Sequence, residues 1–432
     1  MEIYLVGGAV RDILMGVTPK DYDYVVVGSS PEEMLSKGFK EVGKDFPVFL
    51  HPVSGEEYAL ARTERKVGTG YKGFECDWKE VTLEEDLLRR DLTINAIAIK
   101  IDYEATILLG EPVTVGTCID LFKGQDDLKR KQFCQVDKDT FVEDPVRLLR
   151  LARFLARYPD FEVQSMTYLT CTEMEYLGEL ESLVPDRVWA ETEKALKEPY
   201  PWRYFEFLNK FNFPFTKIFR EMETTVENNL HHQEDNVFVH TMMVLKEAQE
   251  RFNDPEVNFA ALMHDFGKPL CYRVLGKGHG HDAEGVPLID NFCKEWKIPN
   301  NYRDLAKHVS AQHQKIHQVL GRNGQSWARP KSIMKIFEQT NALQKPERFL
   351  KLLKVCESDA HGRVGISAED FYHQRPYLEE CLLEVIFLDT KPISKKMLEE
   401  GKKGEVIGMK IREERIQKIR EVQREWKNKI IV

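Results

Sequence analysis

Two carboxylates, Asp21 and Asp23, flank Tyr22 just ahead of the apolar run Val25-Val26-Val27. Side chains at i and i+2 of a strand share a face. Two like charges held there repel unless a cation sits between them, and magnesium, bound through oxygens and substrate phosphates, fits best. Such a pair can hold two ions that clamp the attacking and leaving oxygens of a nucleotidyl transfer. A solvated strand end is the plain alternative. Upstream, Gly7-Gly8 precedes Arg11. Glycine lets a phosphate approach backbone N–H groups, a helix N-terminus favours the anion, and Arg11 can hold its oxygens through two hydrogen bonds. Taken alone, a Gly-Gly pair reads more simply as a turn.

A second set is built from histidine. Eleven of the twelve histidines fall between His231 and His373; His51 stands apart. His240, then His264-Asp265 with Lys268, then Asp359 follow in order. An adjacent His and Asp can share one metal, with the outer His and Asp completing the set. Imidazole and carboxylate ligands suit nickel, manganese, cobalt or magnesium, and a metal-bound water can attack a phosphate ester. Lys268 can stabilise phosphate charge. His279, His281, His308, His313 and His317 are secondary candidates. His313 and His317, four apart, can face one way, although singly each reads better as a surface or hydrogen-bonded residue.

These groups need elements to position them. The pattern predicts a strand at Tyr4-Leu5-Val6, a helix from Ala9 to Met15 and a second strand from Asp21 to Val27. Further strands are expected at Phe46–His51 and Glu57–Ala61, then a mobile polar loop over 63–85. Gly110-Glu111-Pro112 reads as a turn between two strands. Helical periodicity starts near Leu83 and dominates after Glu143. There Asp144 fits a helix N-cap and Pro145 the first helical position. Arg147 and Arg150 recur at helical spacing, so all three can face one cleft. Ile411–Ile431 reads as an amphipathic helix.

The chain has 432 residues, long enough for about three domains. Hydrophobic residues make up 42%, which excludes a disordered polymer. No apolar run approaches the ~18 residues of a membrane span. The start reads as a strand rather than a signal peptide. Eight scattered cysteines without a CxxC pair fit reduced thiols in a cytoplasmic protein and make zinc–cysteine chemistry improbable. The net charge of −9 argues mildly against a nucleic-acid partner. Residues 395–432, however, carry twelve Lys/Arg against seven Asp/Glu. A local cationic groove then suffices, and the expectation is modest, salt-sensitive binding.

Gly7-Gly8-Ala9-Val10-Arg11-Asp12, Asp21-Tyr22-Asp23, Arg89-Arg90-Asp91-Leu92-Thr93-Ile94-Asn95-Ala96 and Glu143-Asp144-Pro145-Val146-Arg147 occur in that order. Together they resemble the motifs of class II tRNA nucleotidyltransferases. These are the CCA-adding enzymes, relatives of bacterial poly(A) polymerases and distant members of the DNA polymerase beta superfamily. The resemblance continues through Val184-Pro185-Asp186-Arg187-Val188-Trp189-Ala190-Glu191. The His … His-Asp … Asp order resembles HD-domain phosphohydrolases and the HD module of multifunctional bacterial CCA proteins.

The resemblance implies an α+β fold: a small head with a mixed β-sheet, followed by an all-helical neck, HD domain and tail. Its boundaries are expected at 1–137, 138–225, 226–375 and 376–432. It implies addition of C, C and A to tRNA from CTP and ATP. Asp21 and Asp23 would be catalytic ligands of Mg2+, and Gly8 and Arg11 would contact the nucleotide phosphates. Arg90, Asp91 and Asn95 would sense the ribose and triphosphate. Asp144 and Arg147, with Arg150 beside them, would read the base. Cytosine and adenine each pair an amino donor with a ring-nitrogen acceptor; uracil and guanine show the reverse, so one Asp/Arg pair can separate them. The segment 63–82 is associated with final A addition. Glu56 or Glu57 is a candidate third carboxylate. His240, His264, Asp265 and Asp359 would hold Ni2+, Mn2+, Co2+ or Mg2+ for cyclic phosphodiesterase, 2′-nucleotidase or phosphatase chemistry. No membrane partner is expected, and a homodimer is left open. The rivals are an ATP-only poly(A) polymerase and a phosphohydrolase with a regulatory nucleotide-binding head.

Overall fold

The computed structural model describes residues 1–42, 47–66, 74–226, 236–321, 326–365 and 371–430. Contacts divide the chain into two units. One comprises Met1–Val188 with Phe211–Pro214, and the other Trp189–Lys210 with Phe215–Val432.

The first unit is organised by strands β1 (Glu2–Val6), β2 (Asp23–Val27), β3 (Lys40–Glu41), β4 (Val48–Leu50), β5 (Glu57–Leu60), β6 (Thr63–Lys66), β7 (Phe74–Asp77) and β8 (Ala98–Lys100). Six of them form one sheet in the order β3-β4-β5-β2-β1-β8. β2 and β5 run parallel and the other neighbours antiparallel, which makes the sheet mixed. Alternation along β1 and β2 buries both faces. Leu5, Tyr24, Val26, Tyr58 and Ile97 pack on one side, and Tyr4, Val6, Val25, Leu87 and Ala98 on the other. The expected α+β class is the observed one.

Several local expectations need correction. β2 begins at Asp23, so Asp21 lies in the bend before the strand rather than within it. The polar segment 63–85 is not all loop: β6 and β7 pair antiparallel, and Leu83–Leu88 is helical. Reciprocal bonds between Thr82 and Glu85 fix that helix start. Residues 67–73, and Phe46 in the expected strand Phe46–His51, lie outside the described residues. Gly110 does not turn between two strands. Asp102 caps a helix, Tyr103–Leu109, that the apolar run disguised as β, and Gly110 ends it in the left-handed region. The start of the helix Val146–Arg157 is also shifted: Pro145 is its N-cap residue, while Asp144 ends the preceding helix, Lys138–Glu143. Asp144 still accepts a bond from Val146 N at 3.1 Å, so it does the capping chemistry from one position earlier.

In the second unit the described elements are helices. Val237–Phe252, Pro255–Met263, His281–Glu295, Asn300–His317 and Pro346–His361 pack around the histidine cluster. The tail helix runs over Glu405–Ile430, six residues earlier than its expected start, and buries Ile416, Ile419 and Val422. Among the described residues no helix is long and apolar enough to cross a membrane.

Candidate nucleotide and metal sites

Asp23 heads β2 in register with Val6 on β1 and Glu57 on β5. Directly paired residues point to one face, so Glu57 is the carboxylate beside Asp23. Glu56 faces the other way, accepting from Ser54 Oγ at 2.9 Å. Gly7 has φ +70, and a Cβ there would meet Arg90 Nη1 at 3.2 Å and Asp23 Oδ2 at 3.9 Å. The bare backbone thus brings the first glycine, the carboxylate strand and Arg90 into one place. The Asp23 carboxyl sits above its ordinary value. Surrounding protein disfavours its charge, Asp21 adds repulsion, and Arg90 offsets only part. The side chain still meets solvent, so it is a crowded carboxylate at an open cleft.

Behind it lies a buried polar frame. Asp91 accepts from Leu92 N (2.8 Å), Asn95 Nδ2 (3.0 Å) and Arg150 Nε (2.7 Å). Burial alone would raise its carboxyl, but Arg150 and Asn95 hold it well below the carboxylate range. Asn95 Oδ1 in turn accepts from Arg11 Nη1 at 2.8 Å. Arg11 is buried, bonded also to Asp12, and lies over the rings of Phe154 and Tyr158. Arg90 donates to Asp86 Oδ2 (3.1 Å) and Asn95 O (3.4 Å), while its buried Nε has no hydrogen-bond partner.

The expected Asp144/Arg147/Arg150 trio divides. Asp144 is clamped by both Nη atoms of Arg187 (2.9 and 2.8 Å). Arg147 donates to the carbonyls of Thr140 and Arg89, both at 2.6 Å. Arg150 joins the Asp91 frame. Each side chain is therefore fixed by its own partners.

The histidine cluster lies wholly within the second unit. Asn236 caps the helix that carries His240. His264 and Asp265 occupy the turn after Pro255–Met263, not the helix itself. Gly267 makes that turn possible, because a Cβ there would collide with the His281 carbonyl. His240 Nε2 lies 3.3 Å from His264 Nε2 and 3.3 Å from Asp359 Oδ1. His264 Nε2 is 3.0 Å from Asp265 Oδ2. Burial would lower the His264 imidazole, yet the Asp265 carboxylate beside it raises it. Lys268 Nζ rests 2.8 Å from Asp265 Oδ2, so it neutralises this carboxylate as well as lining the adjacent cavity. Two secondary candidates, His281 and His313, meet the other oxygen of Asp265. His317 instead holds Asp359, at 2.7 Å from Oδ2, and bonds Tyr372 through Nδ1. His308 stands apart, pushed down to about 4, first by burial.

The head, residues 3–134, matches the poly A polymerase head domain. The chain is 44% identical over 400 residues to a multifunctional CCA protein of Burkholderia cenocepacia, covering 91% of this chain and 93% of that protein. It belongs to the multifunctional CCA protein family. A Shewanella denitrificans member is 45% identical over 388 residues, 88% of this chain and 89% of that one. A Bacillus stearothermophilus CCA-adding enzyme solved in complex with CTP shares the fold at TM-score 0.61 and 21% identity, covering 95% of this chain and 87% of that chain.

A head of this family implies a divalent ion, and the donor set fits one: crowded oxygens whose charge is under-compensated. The histidine set also fits a metal. Tetrahedral ligands at ~2.1 Å bonds stand ~3.4 Å apart. Among His240, His264 and Asp265 the contacts run from 3.0 Å (His264–Asp265) to 3.8 Å (His240–Asp265), and Asp359 reaches His240 (3.3 Å) and His264 (3.9 Å) but stands outside that close group of three. Two supporting residues were not singled out from sequence. Asp86 was hidden in an acidic helix, and Arg187 only in the quoted Pro-Asp-Arg run; nothing in their spacing showed their partners.

Proposed function

We propose that the chain adds C, C and A to the 3′ end of tRNA without a template, using CTP and ATP, and that a second site hydrolyses phosphate esters there. The observation that carries this is the carboxylate–arginine site of Asp23, Glu57, Arg90 and Asp91 in a chain 44% identical to a multifunctional CCA protein. Asp21 and Asp23 would hold Mg2+, which supplies charge neutralisation and the clamp on the oxygens of an in-line transfer. Gly8 and Arg11 would contact the nucleotide phosphates, Arg11 from a buried position bonded to Asp12 and Asn95, and Arg90 offers donors beside Asp23. Asp91 and Asn95 keep that frame rigid. Asp144, oriented by Arg187, accepts the amino hydrogen of C or A, and Arg147 gives to the ring nitrogen.

In the second site His240, His264, Asp265 and Asp359 would hold Ni2+, Mn2+, Co2+ or Mg2+, which activates water toward phosphorus. Lys268, paired with Asp265, would stabilise phosphate charge. Damaged tRNA ends carrying 2′,3′-cyclic or 2′-phosphates block the 3′-OH that the head must extend, so the two chemistries serve one repair. The four-part division at 137, 225 and 375 is the functional map of this reading.

The test is a pair of variants assayed for both activities. Asp23→Ala abolishes nucleotide addition and spares phosphatase activity; His264→Ala does the reverse. Joint loss in either folded variant overturns the two-site reading. Homopolymeric extension by ATP alone would point to a poly(A) polymerase instead.

A further inference from the structure

The nucleotide reading leaves out the residues that hold Arg11. We propose that Tyr158, with Phe154 beside it, is a positioning residue for nucleotidyl transfer, whose ring face fixes the Arg11 guanidinium for the phosphates of the incoming nucleotide. This rests on the phosphate role given to Arg11 above and names what sets its geometry.

Arg11 starts from a weak foothold. It lies one turn into a helix of only seven residues, Gly8–Leu14, whose start has no side-chain cap. A helix so short is not stable by itself, so neighbours must hold what it carries. Hydrogen bonds use part of the fork. Nε and Nη2 donate to Asp12 Oδ1 at 3.0 and 2.8 Å, and Nη1 donates to Asn95 Oδ1 at 2.8 Å. That leaves an N–H on each Nη atom, enough to grip two phosphate oxygens. A Cβ on Gly8 would meet Nη2 at 3.4 Å, so that end of the fork lies against the other residue assigned to the phosphates.

The rings supply what the hydrogen bonds do not. The N–H groups point in the guanidinium plane, so their bonds steer the fork within that plane and resist tilting out of it poorly. Phe154 and Tyr158, four apart at the end of the helix Val146–Arg157, have nearly parallel rings, 18° between planes and 6.4 Å between centroids. Arg11 Cζ lies 5.4 Å from one centroid and 5.5 Å from the other, astride the pair. Arg11 is 3% exposed, so little water screens the attraction between the cation and the negative ring faces.

The pair is itself anchored. Phe133 lies 6.0 Å from Phe154, and Phe161 lies 5.3 Å from Tyr158, both buried. The Tyr158 hydroxyl makes a long contact, 3.4 Å, with the Asp12 oxygen that Arg11 also uses. Burial pushes this hydroxyl up from its ordinary value, so it keeps its proton and donates. The same helix carries Arg147 and Arg150. One element therefore bears the arginines assigned to the base and the rings that set the arginine assigned to the phosphates.

The test grades the ring face and nearly keeps its shape. In the full chain, Tyr158→Phe is followed by mono-, di- and trifluorophenylalanine at the same position, introduced by stop-codon suppression. Fluorine withdraws electron density and weakens the ring face stepwise. Addition to tRNA lacking its 3′ CCA is measured in Mg2+. kcat/KM should fall stepwise, by about tenfold from phenylalanine to the trifluoro ring, and equally for CTP and ATP because both carry the same triphosphate. In an Arg11→Gln background, which removes the cation, the series should be flat. A flat series in the chain that keeps Arg11, an equal decline in the Arg11→Gln background, or a decline for one nucleotide only overturns the role of Tyr158 and leaves that of Arg11 standing. If Arg11→Gln itself leaves kcat/KM for both nucleotides unchanged, the phosphate role of Arg11 falls as well.

Discussion

Asp86→Asn is the sharpest probe of how the head holds its arginines. Asp86 is fully buried and accepts from Arg89 Nη2 (2.6 Å), Arg89 Nε (3.2 Å) and Arg90 Nη2 (3.1 Å). Burial alone would raise its carboxyl, yet the two guanidinium groups hold it below the ordinary value of 3.8. Folding therefore favours the charged form. Its stabilisation is in place above the unfolded-chain value and fades as the pH falls below it. The amide keeps the shape but removes the charge and turns one acceptor into a donor facing cations. Breaking a buried pair in this way costs about 3–5 kcal/mol. Amide hydrogen exchange in β1, β2 and β8 should speed up by roughly two to nearly four orders of magnitude at pH 7. Exchange in the helices around His264, in the other unit, should not change. Arg90 loses its tether beside Asp23, so nucleotide incorporation falls as well. An exchange effect below about tenfold with unchanged incorporation would refute this account of the pair.

Two further substitutions test the site residues. Arg187→Lys replaces a two-bond clamp on Asp144 by a single donor, and kcat/KM for CTP and ATP should fall about tenfold with weaker rejection of UTP, as one charge-assisted hydrogen bond implies; unchanged selectivity in steady-state assays would remove Arg187 from the base-reading apparatus. Asp23→Asn should raise the melting temperature of the metal-free protein at neutral pH while abolishing addition. The raised carboxyl of Asp23 means that its charge opposes folding above the unfolded value of 3.8, and the gain should vanish below it. A lower melting temperature at pH 7 would contradict that sign.

The parts legible in sequence were set either by local pattern or by the order of the family motifs. A strand carrying Asp23 was legible from local pattern, although its start was read at Asp21, whereas the Arg90–Asn95 run and the order of His240, His264, Asp265 and Asp359 were legible only through the resemblance to a known family. The misreadings arose where a short apolar run fits either period: Tyr103–Leu109 reads as strand until Asp102 and Gly110 are seen to cap it. Long-range partners were not legible. Arg187 reaches Asp144 across 43 residues, and His317 reaches Asp359 across 42. Nor could spacing distinguish His281 and His313, which face Asp265, from His308, which does not. Only the crossing of Asn300–His317 with His281–Glu295 brings that pair together.

The central claim is template-independent CCA addition. Full-length protein is incubated in Mg2+ with tRNA lacking its 3′ CCA, and the products are sequenced after supplying CTP, ATP, both, or all four nucleotides. The account predicts addition of C and C with CTP alone, then one A and a stop when ATP is present, with UTP and GTP excluded. Failure to add three nucleotides, or open-ended extension by ATP, would contradict it.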